Sequence, residues 1–190
     1  MAVWTRCAVA MAATGLVLCA PAVAQAAPGD AGGGESAAVA AEAAPAVPAA
    51  LTVTRGELIK RATTWHPHTA QRIPYDQNKM HDGYRTDCSG YVSMAAGLAK
   101  PGPNTVALAG SKVSAPIDKK DMKTGDLFID AIGDHNTRHV VIFEKWSNAQ
   151  HTKYWAYEQR GGYGTDHREL TYGLDAGSQF KAHRLKNITD

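Results

Sequence analysis

Thr86-Asp87-Cys88-Ser89-Gly90-Tyr91-Val92 is where a polar, turn-rich segment gives way to an apolar helix, and what lies on either side of it decides the fold class. Asp87 or Thr86 can cap the helix. Val92, Ala95, Ala96 and Ala99 then supply a face of small apolar side chains that can lie close against a sheet. Pro101-Gly102-Pro103 ends it. Upstream, Thr54-Arg55-Gly56-Glu57 has the form of a capping box, and Leu58, Ile59, Ala62 and Trp65 follow at helical spacing. The spacing predicts a first helix over residues 55–65, stopped by Pro67, with a loop over residues 66–85. Past Lys119 the pattern changes to strands: Leu127-Phe128-Ile129, Val140-Val141-Ile142-Phe143 and Tyr154-Trp155-Ala156-Tyr157-Glu158, with weaker candidates at 168–171 and 180–185. Lys123-Thr124-Gly125, Ser147-Asn148 and Gly161-Gly162 supply the turns. Helices first and strands after predict an α+β domain, with N-terminal helices packed on one face of a central antiparallel sheet.

The flanking composition bounds this domain. Arg6, an apolar run over residues 8–20, Pro21 and the small residues Ala22-Val23-Ala24-Gln25-Ala26 follow the order of a secretory signal, with cleavage after Ala26 or Ala24. The run is shorter than the about 20 residues that span a bilayer. Residues 1–26 are therefore expected to be a signal peptide. Cys19 follows Leu18 rather than the small side chain a lipidation site wants. Residues 27–51 are almost entirely Ala, Gly, Pro, Val, Glu and Ser, too poor in large apolar side chains to offset the entropy of ordering, and read as a disordered linker. Residues 52–190 remain as one domain with its own core. Twenty Lys and Arg stand against eighteen Asp and Glu. That balance points to neither nucleic acid nor an acidic membrane as partner, and the expected mature form is a secreted monomer.

Removal of the signal would leave Cys88 as the sole cysteine of three. An exported chain with one thiol uses it as an intermolecular cross-link, as an inert buried side chain, or as a reactive group. At the first turn of a helix, the partial positive charge favours a thiolate and free backbone N–H groups can hold an oxyanion. The nucleophile needs a base. Of eight histidines, His139 is best placed because it opens a central strand; His135, four residues earlier in a polar loop, is the second choice. His66 and His68 flank Pro67, and His81, His151, His167 and His183 read as surface or loop positions. A third polar group usually orients the base. Glu158 and Gln159 are candidates on the next strand, and alternation puts Tyr154, Ala156 and Glu158 on one face and Trp155, Tyr157 and Gln159 on the other. Either face could meet His139. One cysteine cannot build the closely spaced pairs zinc wants, so neither metal nor cofactor is expected.

These residues resemble the NlpC-type cell-wall cysteine peptidases, which have a papain-like core. Asp87-Cys88-Ser89-Gly90-Tyr91-Val92 matches that family's nucleophile motif, Gly125-Asp126-Leu127-Phe128 is similar to its G-D-L-x-F strand, and His139-Val140-Val141-Ile142-Phe143 to its H-V-G-I-Y strand. Tyr75 resembles the tyrosine the family keeps before its cysteine. The resemblance implies catalytic Cys88, base His139, Tyr75 near the oxyanion, and Asp87 and Ser89 lining a peptide cleft. It implies hydrolysis of peptidoglycan stem peptides next to D-isoglutamate. The chain departs from the family at Glu158, where a histidine is usual, and at Val141, where a glycine is usual. An amidase or acyl transferase of the same architecture, a catalytically silent binding module, and a dimer linked through Cys88 are the rival readings.

Overall fold

The computed structural model describes residues 51–190. The expected signal peptide, and all of the expected linker except Leu51, lie outside the described residues. In chain order the elements are β1 (Val53–Thr54), α1 (Arg55–Thr63), β2 (Asp76–His81), β3 (Tyr84–Thr86), α2 (Cys88–Ala95), α3 (Thr105–Ala109), β4 (Ser114–Pro116), β5 (Leu127–Asp130), β6 (His139–Trp146), β7 (Tyr154–Arg160), β8 (Gly164–Leu170), β9 (Lys181–Leu185) and β10 (Ile188–Thr189).

Half of the expected capping box forms at α1. Thr54 Oγ1 accepts from the Glu57 N–H at 3.1 Å, but the Glu57 carboxylate turns to Arg61, one turn later, at 3.0 Å. The helix ends two residues before Trp65, because the Thr63 and Thr64 hydroxyls donate back to the carbonyls of Lys60 and Arg61 and close its last turn. Trp65 still reaches the core and packs on Tyr91, ring centroids 5.3 Å apart. Every residue of α2 is buried, and its Tyr91 hydroxyl donates to the Ala62 carbonyl of α1 at 2.8 Å.

The strands form a mixed α and β architecture around one six-stranded antiparallel sheet, ordered β4-β9-β5-β6-β7-β8. Leu127, Ile129, Val140, Ile142 and Tyr157 face α1 and α2. Phe128, Val141, Phe143, Tyr154 and Ala156 face the other way, covered by Tyr172, Leu174 and Phe180 from the connection between β8 and β9. Both faces are therefore dry, which is why Val140 to Phe143 reads as an unbroken apolar run.

Several features depart from the sequence expectation, among them α3, β4 and the β1–β10 pair, which the sequence pattern does not announce. Residues 66–85 are not all loop, for β2 and β3 form a hairpin with a two-residue turn at Asp82-Gly83, both at positive φ. Asp-Gly is a strong hairpin signal, but the polar Asp-Gln-Asn-Lys run of β2 hides the strand. Strand β8 begins four residues earlier than its weaker sequence signal, and pairs with β7 along its whole length. His183 and His167 are not loop residues: His183 lies buried in β9 with Nδ1 2.9 Å from Ser114 Oγ, and His167 lies in β8 with its ring stacked on Tyr157 at 4.2 Å.

Candidate active site

Cys88 is the first residue of α2 and is buried. Asp87 caps the helix with Oδ1 accepting from the Gly90 N–H at 2.6 Å, and its carbonyl accepts from the Tyr91 N–H at 3.0 Å. The Cys88 N–H, at the first helical position, has no acceptor within the helix and is free for an oxyanion. On the lateral side, Sγ lies 3.9 Å from Thr105 Oγ1 at the start of α3.

His139 opens β6. Its Nε2 is 2.8 Å from Glu158 Oε2, which leaves Nδ1 for the sulfur. Burial opposes the imidazolium, yet the contacts with Cys88 and Glu158 outweigh it and raise the pKa of His139 from 6.5 to about 9. At neutral pH the imidazole thus stands protonated beside Cys88. Glu158 is fully buried. Burial pushes its carboxyl up, but His139 and then Arg168, whose Nε donates to Glu158 Oε1 at 2.6 Å, overcome this and leave it lowered.

Glu158 shares the sheet face of Tyr154 and Ala156, the face turned away from the helices, and it is this face that meets His139. The imidazole therefore links the two sides of the sheet at the strand end, with Glu158 on one side and the N-terminus of α2 on the other. Gln159 points the opposite way. Its Nε2 donates to the carbonyls of Ile73, Pro74 and Thr86 at 3.1 to 3.2 Å. Gln159 therefore clasps the segment leading to Tyr75 against the one leading to Cys88, and does not orient the base.

Tyr75, Asp87, Cys88 and Ser89 line one narrow cavity of about 60 Å³, with Gln77, Thr105, His135 and Arg138. The Tyr75 hydroxyl accepts from Gln77 Nε2 at 3.1 Å, which leaves its own proton to donate. Burial raises its pKa against the pull of Gln77, and the charges of Cys88 and Asp87 raise it further, so it stays a protonated donor. The polar atoms of Asp87 and Ser89 are largely engaged within the protein. Arg85 donates to Asp87 Oδ2 at 2.8 Å and to Ser89 Oγ at 3.1 Å, and Ser89 donates to Asp87 Oδ1 at 2.8 Å. His135, the second choice as base, is an exposed residue of the cavity lining, and its carbonyl accepts from Gln77 at 2.9 Å.

Sequence reasoning missed Arg85 and Arg168. Arg85 also donates to the carbonyls of Gly102 and Pro103, tying the nucleophile turn to the loop after α2. An arginine beside an acidic cap is a readable signal for the first. For the second there is none, because Arg168 reaches Glu158 only through strand pairing. A larger groove, about 760 Å³, lies between residues 63–69 and strands β7 and β8, and contains neither Cys88 nor His139. Among the described residues no cluster of His, Cys, Asp and Glu could hold a metal ion. No family model, curated protein or solved structure matches this chain.

Proposed function

We propose that this chain is a secreted thiol hydrolase with a papain-like core of the NlpC type, cutting peptide bonds in peptidoglycan stem peptides. The observation that carries the reading is the meeting of Cys88, at the N-terminus of a buried helix, with a His139 whose far ring nitrogen is held by buried Glu158. Cys88 sulfur, as thiolate, attacks the scissile carbonyl. An S–C bond forms and the carbonyl oxygen becomes an oxyanion, facing the Cys88 N–H and the Tyr75 hydroxyl. The C–N bond then breaks as His139 gives its proton to the leaving amine. Water next attacks the thioester, passing a proton to His139, and the S–C bond breaks to release the acid and restore the pair.

The charge of the cleft supports an anionic substrate. Arg138 is half-buried at the cavity and has no ion-pair partner among the described residues, so a substrate carboxylate would be its counter-ion.

The test is digestion of purified muropeptides by the wild type and by Cys88→Ala, followed by mass analysis. The hydrolase should cut one peptide bond with addition of one water, and Cys88→Ala should cut none. Products carrying an added amine in place of water would make the enzyme a transferase, and release of the whole stem from the glycan would make it an amidase. Absence of Cys88-dependent cleavage would overturn the proposal in favour of a binding module.

A further inference from the structure

We propose that Arg168 is the positioning residue of this site, fixing Glu158 through the oxygen that His139 does not use and restraining the imidazole through Tyr172. The inference rests on the hydrolase reading above.

A fully buried carboxylate needs both oxygens satisfied. His139 takes Oε2 and Arg168 takes Oε1. The guanidinium reaches on, with Nη2 donating to the Tyr172 hydroxyl at 3.1 Å. The Tyr172 ring meets His139 edge to face, centroids 6.0 Å apart, and stacks on Phe180 at 4.9 Å; Phe180 meets the imidazole in the same way at 6.3 Å. Carboxylate, guanidinium and phenol thus form a closed bracket around the base.

The charges about Glu158 explain why the bracket needs a cation. His139 comes from β6, with Cys88 of α2 beyond it, and Arg168 from β8; Tyr154 stands on its own strand β7, its hydroxyl donating to the Tyr172 carbonyl at 3.0 Å. Asp166 Oδ2 is 3.8 Å from Arg168 Nε, but that carboxylate is already held by Arg160 and His68, each at 2.7 Å, so it does not draw the guanidinium away. Once His139 has given its proton to the leaving amine, Arg168 is the one cation left on Glu158. It keeps the buried carboxylate ionised through the acyl-enzyme, so that Glu158 can again stabilise the imidazolium when water attacks.

Arg168→Gln and Arg168→Lys test this with two readings: kcat and KM on muropeptides against pH, and titration of the ¹³C-labelled Glu158 carboxyl by NMR. In Arg168→Gln the Glu158 carboxyl should titrate at higher pH. The acid limb of kcat/KM should move up with it, so that the loss at pH 6 exceeds the loss at pH 8, by about tenfold for every pH unit the limb is displaced beyond pH 6. Arg168→Lys keeps the charge and loses the bond to Tyr172. It should hold the wild-type acid limb while kcat falls at unchanged KM, and this reading stands even where the glutamine variant does not fold. A loss in Arg168→Gln that is uniform across pH, an unmoved Glu158 titration, or a displaced acid limb in Arg168→Lys would overturn the proposal. Failure of the parent reading looks different. Wild-type protein would then neither cleave muropeptides nor react with iodoacetamide faster at Cys88 than a free thiol, while the carboxyl titration would still decide what Arg168 does to Glu158.

Discussion

At the scale of single residues, the site depends on one buried ion pair whose partners each shift the other. Glu158→Gln keeps the shape and removes the charge. The amide cannot hold the imidazolium, so kcat/KM should fall about 10²-fold or more. On the hydrolase proposal the wild type should show an alkaline limb near pH 9, from His139, and this limb should move down in Glu158→Gln, since the raised pKa of that group depends in part on the carboxylate. A rate profile with its alkaline limb unmoved in Glu158→Gln would remove Glu158 from the base. The same coupling has a consequence for folding. A histidine whose pKa is raised on folding stabilises the native state fully below its unfolded value, here 6.5, and loses that contribution as pH rises through about 9. Thermal stability should accordingly decline across that window in the wild type and less so in His139→Ala.

At the scale of elements, what places the thiol is the close seating of α2 on the hairpin strand β3. Gly90 sits where a Cβ would collide with the carbonyl oxygen of Arg85, which is backbone and cannot swing aside. The room this glycine leaves is thus occupied by the protein itself rather than by substrate. Gly90→Ala should lift the helix start off the hairpin and cost about 3 kcal/mol or more in urea unfolding, in the range of severe overpacking. Gly56→Ala is the matched control. Gly56 is exposed in the first turn of α1, with nothing within 4 Å of the added methyl, and the substitution should stabilise by about 0.5 kcal/mol through helix propensity. Equal effects of the two changes would mean that α2 does not dock as described.

At the scale of the whole molecule, Asp126 ties the beginning of the domain to its end. This carboxylate is fully buried, accepts from Arg55 of α1 at 3.0 Å and from Arg184 of β9 at 2.9 and 2.6 Å, and receives the Lys123 N–H at 2.8 Å. Beside it β1 pairs in parallel with β10, and Arg55 reaches Asp190 at 2.6 Å. Asp126→Ala would leave Arg184 without a carboxylate and Arg55 with only the exposed Asp190, and should cost about 3 kcal/mol or more of folding stability. The variant should lose urea resistance while its Cys88 alkylation rate, measured well below the unfolding midpoint, stays near wild type. A stability change within about 0.5 kcal/mol, ordinary for a surface site, would refute this role.

The order of the helices before the strands of the six-stranded sheet, the start of α2 at Cys88 and the central strand opened by His139 were legible in the chain alone. Capping joins residues three or four apart, and an apolar run declares a buried strand wherever it packs. The β2–β3 hairpin was half legible, its Asp82-Gly83 turn plain and its polar strand not. Alternation likewise separated Glu158 from Gln159, but a period of two does not say which face turns to the helices. Docking of α1 and α2 on the face of Val140, Ile142 and Tyr157 decided that, leaving Glu158 to His139 and Gln159 to the backbone of Ile73, Pro74 and Thr86. Arg168 was beyond reach for the same reason: its neighbour across the sheet is chosen by strand register, which long-range packing and turn geometry set together. The sequence by itself determined that a thiol would stand at a helix start with an imidazole at a strand start. Only the tertiary structure decided which carboxylate, and which arginine behind it, would hold that imidazole in place.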